Sequence, residues 1–241
     1  MIGENKFNTI LTYDDHTGKL SPAGDTIRTR TSQSFLMRAD HFTAENIAFE
    51  NNAGMNAGQA VAVQVHGDKA IFTNCRFLGY QDVLYTINPN SRQYYDHCYI
   101  EGTTDFIFGA STVWFERCQV HSKRNSHVTA ASTPQDHAYG YVFNECILTA
   151  DSALNNATLG RPWRPFSSVT YINCFIDAHI VAAGWDNWRN EANEKTARYA
   201  EYNSFGPGAN ASARAIWSKQ LTEEEKNRIT IKNVFGDWQP K

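Results

Sequence analysis

Apolar and polar residues alternate in short bursts along this chain, as in FTNCRF at 72–77 and FERCQV at 115–120. Alternation over so few residues is the period of a strand, and almost no segment between the bursts carries a helical period. The bursts share one phrase: an aromatic residue, two residues, Cys, one residue, then an apolar residue. It appears as Phe72–Cys75–Phe77, Tyr95–Cys98–Ile100, Phe115–Cys118–Val120, Phe143–Cys146–Leu148 and Tyr171–Cys174–Ile176. A weaker copy, Ala44–Ile47–Phe49, precedes them, and the intervals from Ile47 onward are 28, 23, 20, 28 and 28 residues. A strand returning once per coil predicts a solenoid, and the parallel β-helix is its natural form. Coils then lie about 4.8 Å apart, the spacing of paired strands. All five cysteines hold one position in this repeat, so they are expected to form a buried column. Neighbours such as Cys98 and Cys118 are also near enough for a disulfide.

The tail departs from the repeat. After Gly206-Pro207-Gly208 comes LTEEEKNRI, in which Thr222 and Glu225 have capping-box spacing, so a short helix is expected from Thr222. No Gly/Ser-rich or Pro-rich linker divides the chain, and residues 1–241 are expected to form a single β-helix domain. Composition is ordinary for a globular protein, with 41% hydrophobic and 20% charged residues. A formal charge of −3 without a basic stripe argues against nucleic acid, and no apolar run is long enough to cross a membrane. The eight histidines form no metal-ligand spacing, and the opening MIGENKFNTI does not read as a signal peptide.

The repeat places two acids together. Asp82 follows Cys75 by seven residues and Asp105 follows Cys98 by seven, so they occupy the same phase of consecutive coils. Two carboxylates one strand spacing apart repel, and one should hold its proton more tightly, which divides acid and nucleophile roles. Spacing alone leaves a second reading open, since Asp is also a common turn residue. The neighbours favour chemistry. Gln81 precedes Asp82, and Asp105 opens Asp105-Phe106-Ile107-Phe108-Gly109. An amide donor, a carboxylate pair and an apolar wall suit acyl transfer, in which an oxyanion needs uncharged donors. Farther along, Arg161 in Leu159-Gly160-Arg161-Pro162-Trp163 can fork onto a carboxylate, and Trp163 can stack on a sugar.

Four segments together resemble the pectin methylesterase family: Gly58-Gln59-Ala60-Val61-Ala62, Gln81-Asp82-Val83-Leu84-Tyr85, Gly102-Thr103-Thr104-Asp105-Phe106-Ile107-Phe108-Gly109 and Leu159-Gly160-Arg161-Pro162-Trp163. They stand in the family's order with compatible gaps. The resemblance implies a right-handed parallel β-helix with a long cleft, methylated pectin as partner, and neither metal nor cofactor. It assigns Asp105 as nucleophile, Asp82 as general acid/base, Gln59 and Gln81 as the glutamines around the oxyanion, and Arg161 as the residue that orients the nucleophile. Trp163 becomes a cleft aromatic, with Tyr85, Phe108, Trp185 and Trp188 as further candidates. It also implies a secreted or periplasmic monomer. Val83, Gln64 and Thr104 stand where the family commonly has Thr, Arg and Val. The family's first one or two coils, with a Gly-x-Tyr-x-Glu motif, have no counterpart here, so the first coil is expected to present an open end.

Two rivals share much of this. Carboxylates about 5 Å apart also fit a retaining glycosidase, but that reaction has no carbonyl oxyanion for Gln81 to hold. A solenoid that only binds polysaccharide has no need of Asp82, Asp105 and Arg161 together.

Overall fold

The repeated phrase bends in the middle. An inward aromatic residue and an inward Cys three positions later cannot belong to one strand, because strand side chains change face at every residue. The computed structural model, which describes residues 1–240, resolves this with a corner between two strands. The residue before each Cys or its equivalent takes a left-handed backbone: Asn46, Asn74, His97, Arg117, Glu145 and Asn173, with φ between 48° and 58°. The corner is two residues long in all six coils, as between Arg92–Asp96 and Tyr99–Gly102 or between Thr112–Glu116 and Gln119–Ser122. The phrase thus spans two strands, where the sequence pattern suggested one.

Three parallel sheets result, with seven, six and eight strands. The corners join the eight-stranded sheet to the seven-stranded one. The six-stranded sheet, from Phe35–Met37 to Thr158–Pro162, lies opposite the corners. Its connections on either side vary in length, and they account for the uneven repeat. The link from Gly109 to Thr112 has two residues between strands, whereas that from Ala131 to Tyr141 has nine. The fold is the expected parallel β-helix.

Side chains stack down the interior in columns. Phe72, Tyr95, Phe115, Phe143 and Tyr171 form one, with successive ring centroids 4.9, 5.0, 4.4 and 4.5 Å apart. Phe49, Phe77, Ile100, Val120, Leu148 and Ile176 form another. The aromatic column ends at Glu201, whose buried carboxylate takes two hydrogen bonds from Arg214, at 2.7 and 3.1 Å. Removing either partner would leave a bare charge in the core, a change that typically costs about 3–5 kcal/mol. Thr222 caps Glu223–Asn227 through a capping box, as expected, and a second short helix, Ile231–Phe235, follows. Val234 and Phe235 of that helix pack on Trp114, Val142 and Ile172, the outer face of the eight-stranded sheet.

All five cysteines are buried and free. The anticipated option of a Cys98–Cys118 bridge is not taken. Each thiol instead donates to a carbonyl of the preceding coil, Cys98 to Phe72 O at 3.3 Å and Cys118 to Tyr95 O at 3.4 Å. Burial pushes both thiols well above their ordinary pKa, so little reactive thiolate forms. Titration with a thiol reagent should therefore label almost nothing in the native protein and five groups in denaturant. Rapid native labelling of several would contradict the buried column.

Candidate active site

The residues around the two acids are set by a ladder of backbone bonds between turns. Ala60 N donates to Gln81 O at 3.0 Å, Asp82 N to Thr104 O at 3.1 Å, and Asp105 N to His127 O at 2.7 Å. Ala60, Asp82 and Asp105 thus hold one position in three successive coils, and Gln59 stacks beneath Gln81. Asp82 and Asp105 both take left-handed backbones, with φ of 66° and 51°. Asp tolerates this region better than most side chains. The turn bearing Asp105 also depends on Gly102. A Cβ there would lie 2.3 Å from Phe106 Cβ, so Gly102 lets Phe106 fold into the core while Asp105 turns out.

The strands that follow make the floor. Gln64, Tyr85, Phe108, Ala130 and Arg161 form one row across the six-stranded sheet, facing away from the core. Tyr85 stacks on Phe108 with centroids 4.1 Å apart, and the Trp163 ring stands at 61° to that of Tyr85. Above this floor opens a cleft of about 530 Å³ lined by Gln59, Gln81, Asp82, Asp105, Arg161 and the aromatic residues.

Charge is divided unequally between the acids. Arg161 forks onto Asp105, Nε to one oxygen at 2.9 Å and Nη2 to the other at 2.7 Å. That bidentate geometry fits an ionised carboxylate. Asp82 forms no ion pair of its own. Burial first, and then the charge of Asp105, raise its pKa well above the usual carboxylate range. The Gln59 amide beside it and the charge of Arg161 oppose the rise. Gln59 is itself held, because its Oε1 accepts from the Thr29 hydroxyl at 2.8 Å, which leaves its NH2 group as the unengaged end of the amide. The Gln81 side chain makes no hydrogen bond among the described residues and is free to donate into the cleft.

Gln59, Gln81, Asp82, Asp105, Arg161, Trp163, Tyr85 and Phe108 meet in this cleft, as does Trp188. Trp185 does not. It is buried in the core, its ring 4.4 Å from that of Tyr199 and 5.9 Å from that of Tyr171. Here the expectation of a cleft aromatic fails. Trp188, three residues later, is turned outward by a left-handed backbone and by its N–H bond to Asp186 Oδ1. Its ring lies 3.7 Å from the Arg161 guanidinium.

Two contributions escaped the sequence reading. Residues 28–31 form a strap across the cleft. It is pinned by Ser32, whose hydroxyl bridges Thr29 O and Val61 N, and by the Asn51 amide, which donates to Ser32 O. His127 sits in the coil after Asp105 and shares a 2.7 Å hydrogen bond with the Thr158 hydroxyl. Burial, and then Arg161, lower its pKa and keep it neutral near pH 7. The only sequence signal for the strap was the alternation of Thr and Arg in TIRTRTS, which belongs to no repeat. Among the described residues no cluster of potential ligands suits a metal ion.

Comparison with known proteins agrees with this architecture. The family model for pectinesterase matches residues 1–237. Pectinesterase 31 of Arabidopsis thaliana is 42% identical over 95% of this chain, which spans 73% of that relative's length. A probable pectinesterase/pectinesterase inhibitor of Brassica napus is 38% identical over 97% of the chain, which spans 41% of it. The solved pectin methylesterase of Erwinia chrysanthemi superposes with a TM-score of 0.89 and 28% identity, covering 100% of this chain and 83% of its own. With the match running nearly end to end and the coil architecture shared, this chain belongs to the pectinesterase family.

Proposed function

We propose that this chain hydrolyses the methyl esters of galacturonate units in pectin, with Asp105 as nucleophile and Asp82 as general acid and base. The observation that carries the reading is the unlike treatment of two stacked carboxylates: one is forked by Arg161, the other is buried with no ion pair of its own. An ionised Asp105 oxygen attacks the ester carbonyl. The oxyanion takes hydrogen bonds from the side-chain amides of Gln81 and Gln59, each typically worth a few kcal/mol. As the tetrahedral species collapses, its C–O bond to the methoxy group breaks, and Asp82 gives that oxygen a proton. Methanol leaves and an acyl-enzyme remains on Asp105. Asp82, now ionised, takes a proton from water as the water attacks the acyl carbon, which frees the galacturonate carboxyl and restores Asp105. The floor of Tyr85, Phe108 and Trp163 offers apolar faces to sugar rings. A glycosidase reading leaves the donors around Asp82 without an oxyanion.

Methylated pectin should yield methanol and carboxylates without new reducing ends. Asp105→Asn should lose nearly all methanol release while still binding pectin, and Asp82→Asn should lose about 10²–10⁴-fold, the usual value of acid–base assistance. Wild-type turnover by Asp105→Asn would show that the nucleophile lies elsewhere.

Asp82 also makes a stability prediction. An acid whose pKa is higher folded than unfolded binds more protons in the folded state between the two values, so stability falls as pH rises through that window. Asp82→Asn removes this loss. Its thermal midpoint should exceed the parent's at pH 7, and the gain should fade below the ordinary Asp value of about 3.9. Calorimetry across that range checks it. A lower midpoint at pH 7 would mean that Asp82 is not held protonated.

Thr29 is a positioning residue in this scheme. Thr29→Val leaves the Gln59 amide free to turn and should lower kcat about tenfold, less than the 10²–10³-fold for loss of an oxyanion donor. Thr29→Ser should restore most of the rate. Equal losses in both variants would point to a packing defect instead.

A further inference from the structure

The seven-stranded sheet carries a row of side chains that the reaction does not use. Phe77, Ile100, Val120, Leu148 and Ile176 point into the core, so the residue before each points outward. Arg76, Tyr99, Gln119, Ile147 and Phe175 are register partners in five successive coils, and Phe205 continues the row. Single exposed apolar residues need no explanation. Here, however, Ile147 is 49% and Phe205 58% exposed, on one line with Tyr99 and Phe175. Five strand spacings make the row roughly 24 Å long, enough for several pyranose rings.

At one end the row meets a pocket of about 270 Å³ lined by Lys6, Phe7, Arg76, Tyr99 and Gln119. Two cations line it, and no acid among the described residues does. A cation on a sheet face is commonly just solvated, but these two are placed. The Arg76 guanidinium lies between two rings, 5.0 Å from the Phe7 centroid and 5.6 Å from that of Tyr99. Lys6 donates to Asn74 Oδ1 at 2.6 Å. Neither has an ion-pair partner among the described residues. Glu101, two residues beyond Tyr99, is already engaged, accepting from the Tyr99 hydroxyl at 2.8 Å and from Lys123 at 2.9 Å. Two fixed, unpaired cations beside aromatic faces complement an anion carried on a sugar.

The strands of this row lead into the turns that bear the two acids. Arg76 is six residues before Asp82, and Tyr99 is six before Asp105. Six residues span at most about 21 Å, so a polymer that leaves the cleft across these turns comes within reach of the row.

We propose that this outer face is a second binding site for pectin, in which Lys6 and Arg76 hold the carboxylate of an ionised galacturonate and the apolar row carries the rings that follow it. The proposal rests on the esterase reading and adds an anchor. One polymer engages the cleft and the outer face together, so its second contact forms at a high effective concentration.

The test compares the full chain with the double variant Lys6→Gln, Arg76→Gln. A control, Lys226→Gln with Lys232→Gln, removes the same charge from the two C-terminal helices. Methanol release is measured on a methylated oligomer too short to span both sites and on long, half-esterified pectin. The Lys6/Arg76 variant should keep the parent's kcat and KM on the oligomer and the parent's kcat on pectin. Its KM on pectin should rise about tenfold, a small part of the gain that a linked second contact allows. Calorimetry with a short unesterified oligogalacturonate should count one binding event fewer per chain in this variant. High salt should suppress the same event in the parent, because exposed charges are screened, and Phe7→Ala should weaken it by removing a sugar face. Equal counts in variant and parent overturn the site. So does competition by tripolyphosphate at matched affinity, which would leave a bare anion patch. An equal rise in KM in the control would mean a whole-molecule charge effect, and an unchanged KM beside the lost event overturns the anchor. A ligand-free dimer dissolved by Ile147→Asp would give the face to a second copy and also overturn the proposal. If the parent releases no methanol from either substrate, the esterase reading fails, and the calorimetric count alone decides whether the face binds an ionised sugar.

Discussion

The hydrogen bonds from Ala60, Asp82 and Asp105 into the following coil fix a distance that no side chain chose. Strand pairing sets coil spacing at about 4.8 Å, and any two acids at one phase of adjacent coils inherit it. At that range two full negative charges in a largely buried setting are strongly unfavourable. The site relieves the conflict by treating the acids differently. Asp105 gets a guanidinium on both oxygens, while Asp82 gets burial and a neutral amide. The scaffold's geometry thus raises the pKa of Asp82, the member of the pair placed to carry a proton.

The supporting atoms follow the same logic at one remove. Gln59 is one coil below Gln81, and the Thr29 hydroxyl occupies its carbonyl oxygen, so the amide cannot flip without losing a bond. Arg161 is gripped on one side by Asp105 and covered on the other by the Trp188 ring. In the proposed reaction neither group has to reorganise as charge moves from Asp105 to the ester oxygen, the condition under which fixed dipoles are most effective.

Much of this was legible in the chain. The phase of the cysteines marks the coils, and seven residues on from Cys75 and Cys98 the chain itself brings Asp82 and Asp105 together. The limits were physical. Trp185 and Trp188 both follow the Arg161 segment closely, and no pattern says which faces the core. The left-handed backbone at Trp188 and the Asp186 bond decide that. The strap at 28–31 lies outside the repeat, so its contact with Gln59 could not be read from periodicity. The corners were hidden for another reason. Asn46, Asn74 and Asn173 share their position with His97, Arg117 and Glu145, and residue type alone does not reveal a common conformation.

Those corners give the molecule a spine and a rim. Along the spine, six two-residue turns leave no freedom of length, because one inserted residue would send every side chain of the next strand to the wrong face. Along the rim, links on either side of the six-stranded sheet already range from two residues, between Gly109 and Thr112, to 21, between Tyr13 and Phe35. Lengthening them costs little, since each doubling of a flexible loop adds only about 0.6 kcal/mol of closure entropy. The rim is also where the walls of the cleft stand. A lineage can therefore remodel what the cleft admits by adding or trimming loops there, while the spacing of the acids remains locked by a spine that tolerates no such editing.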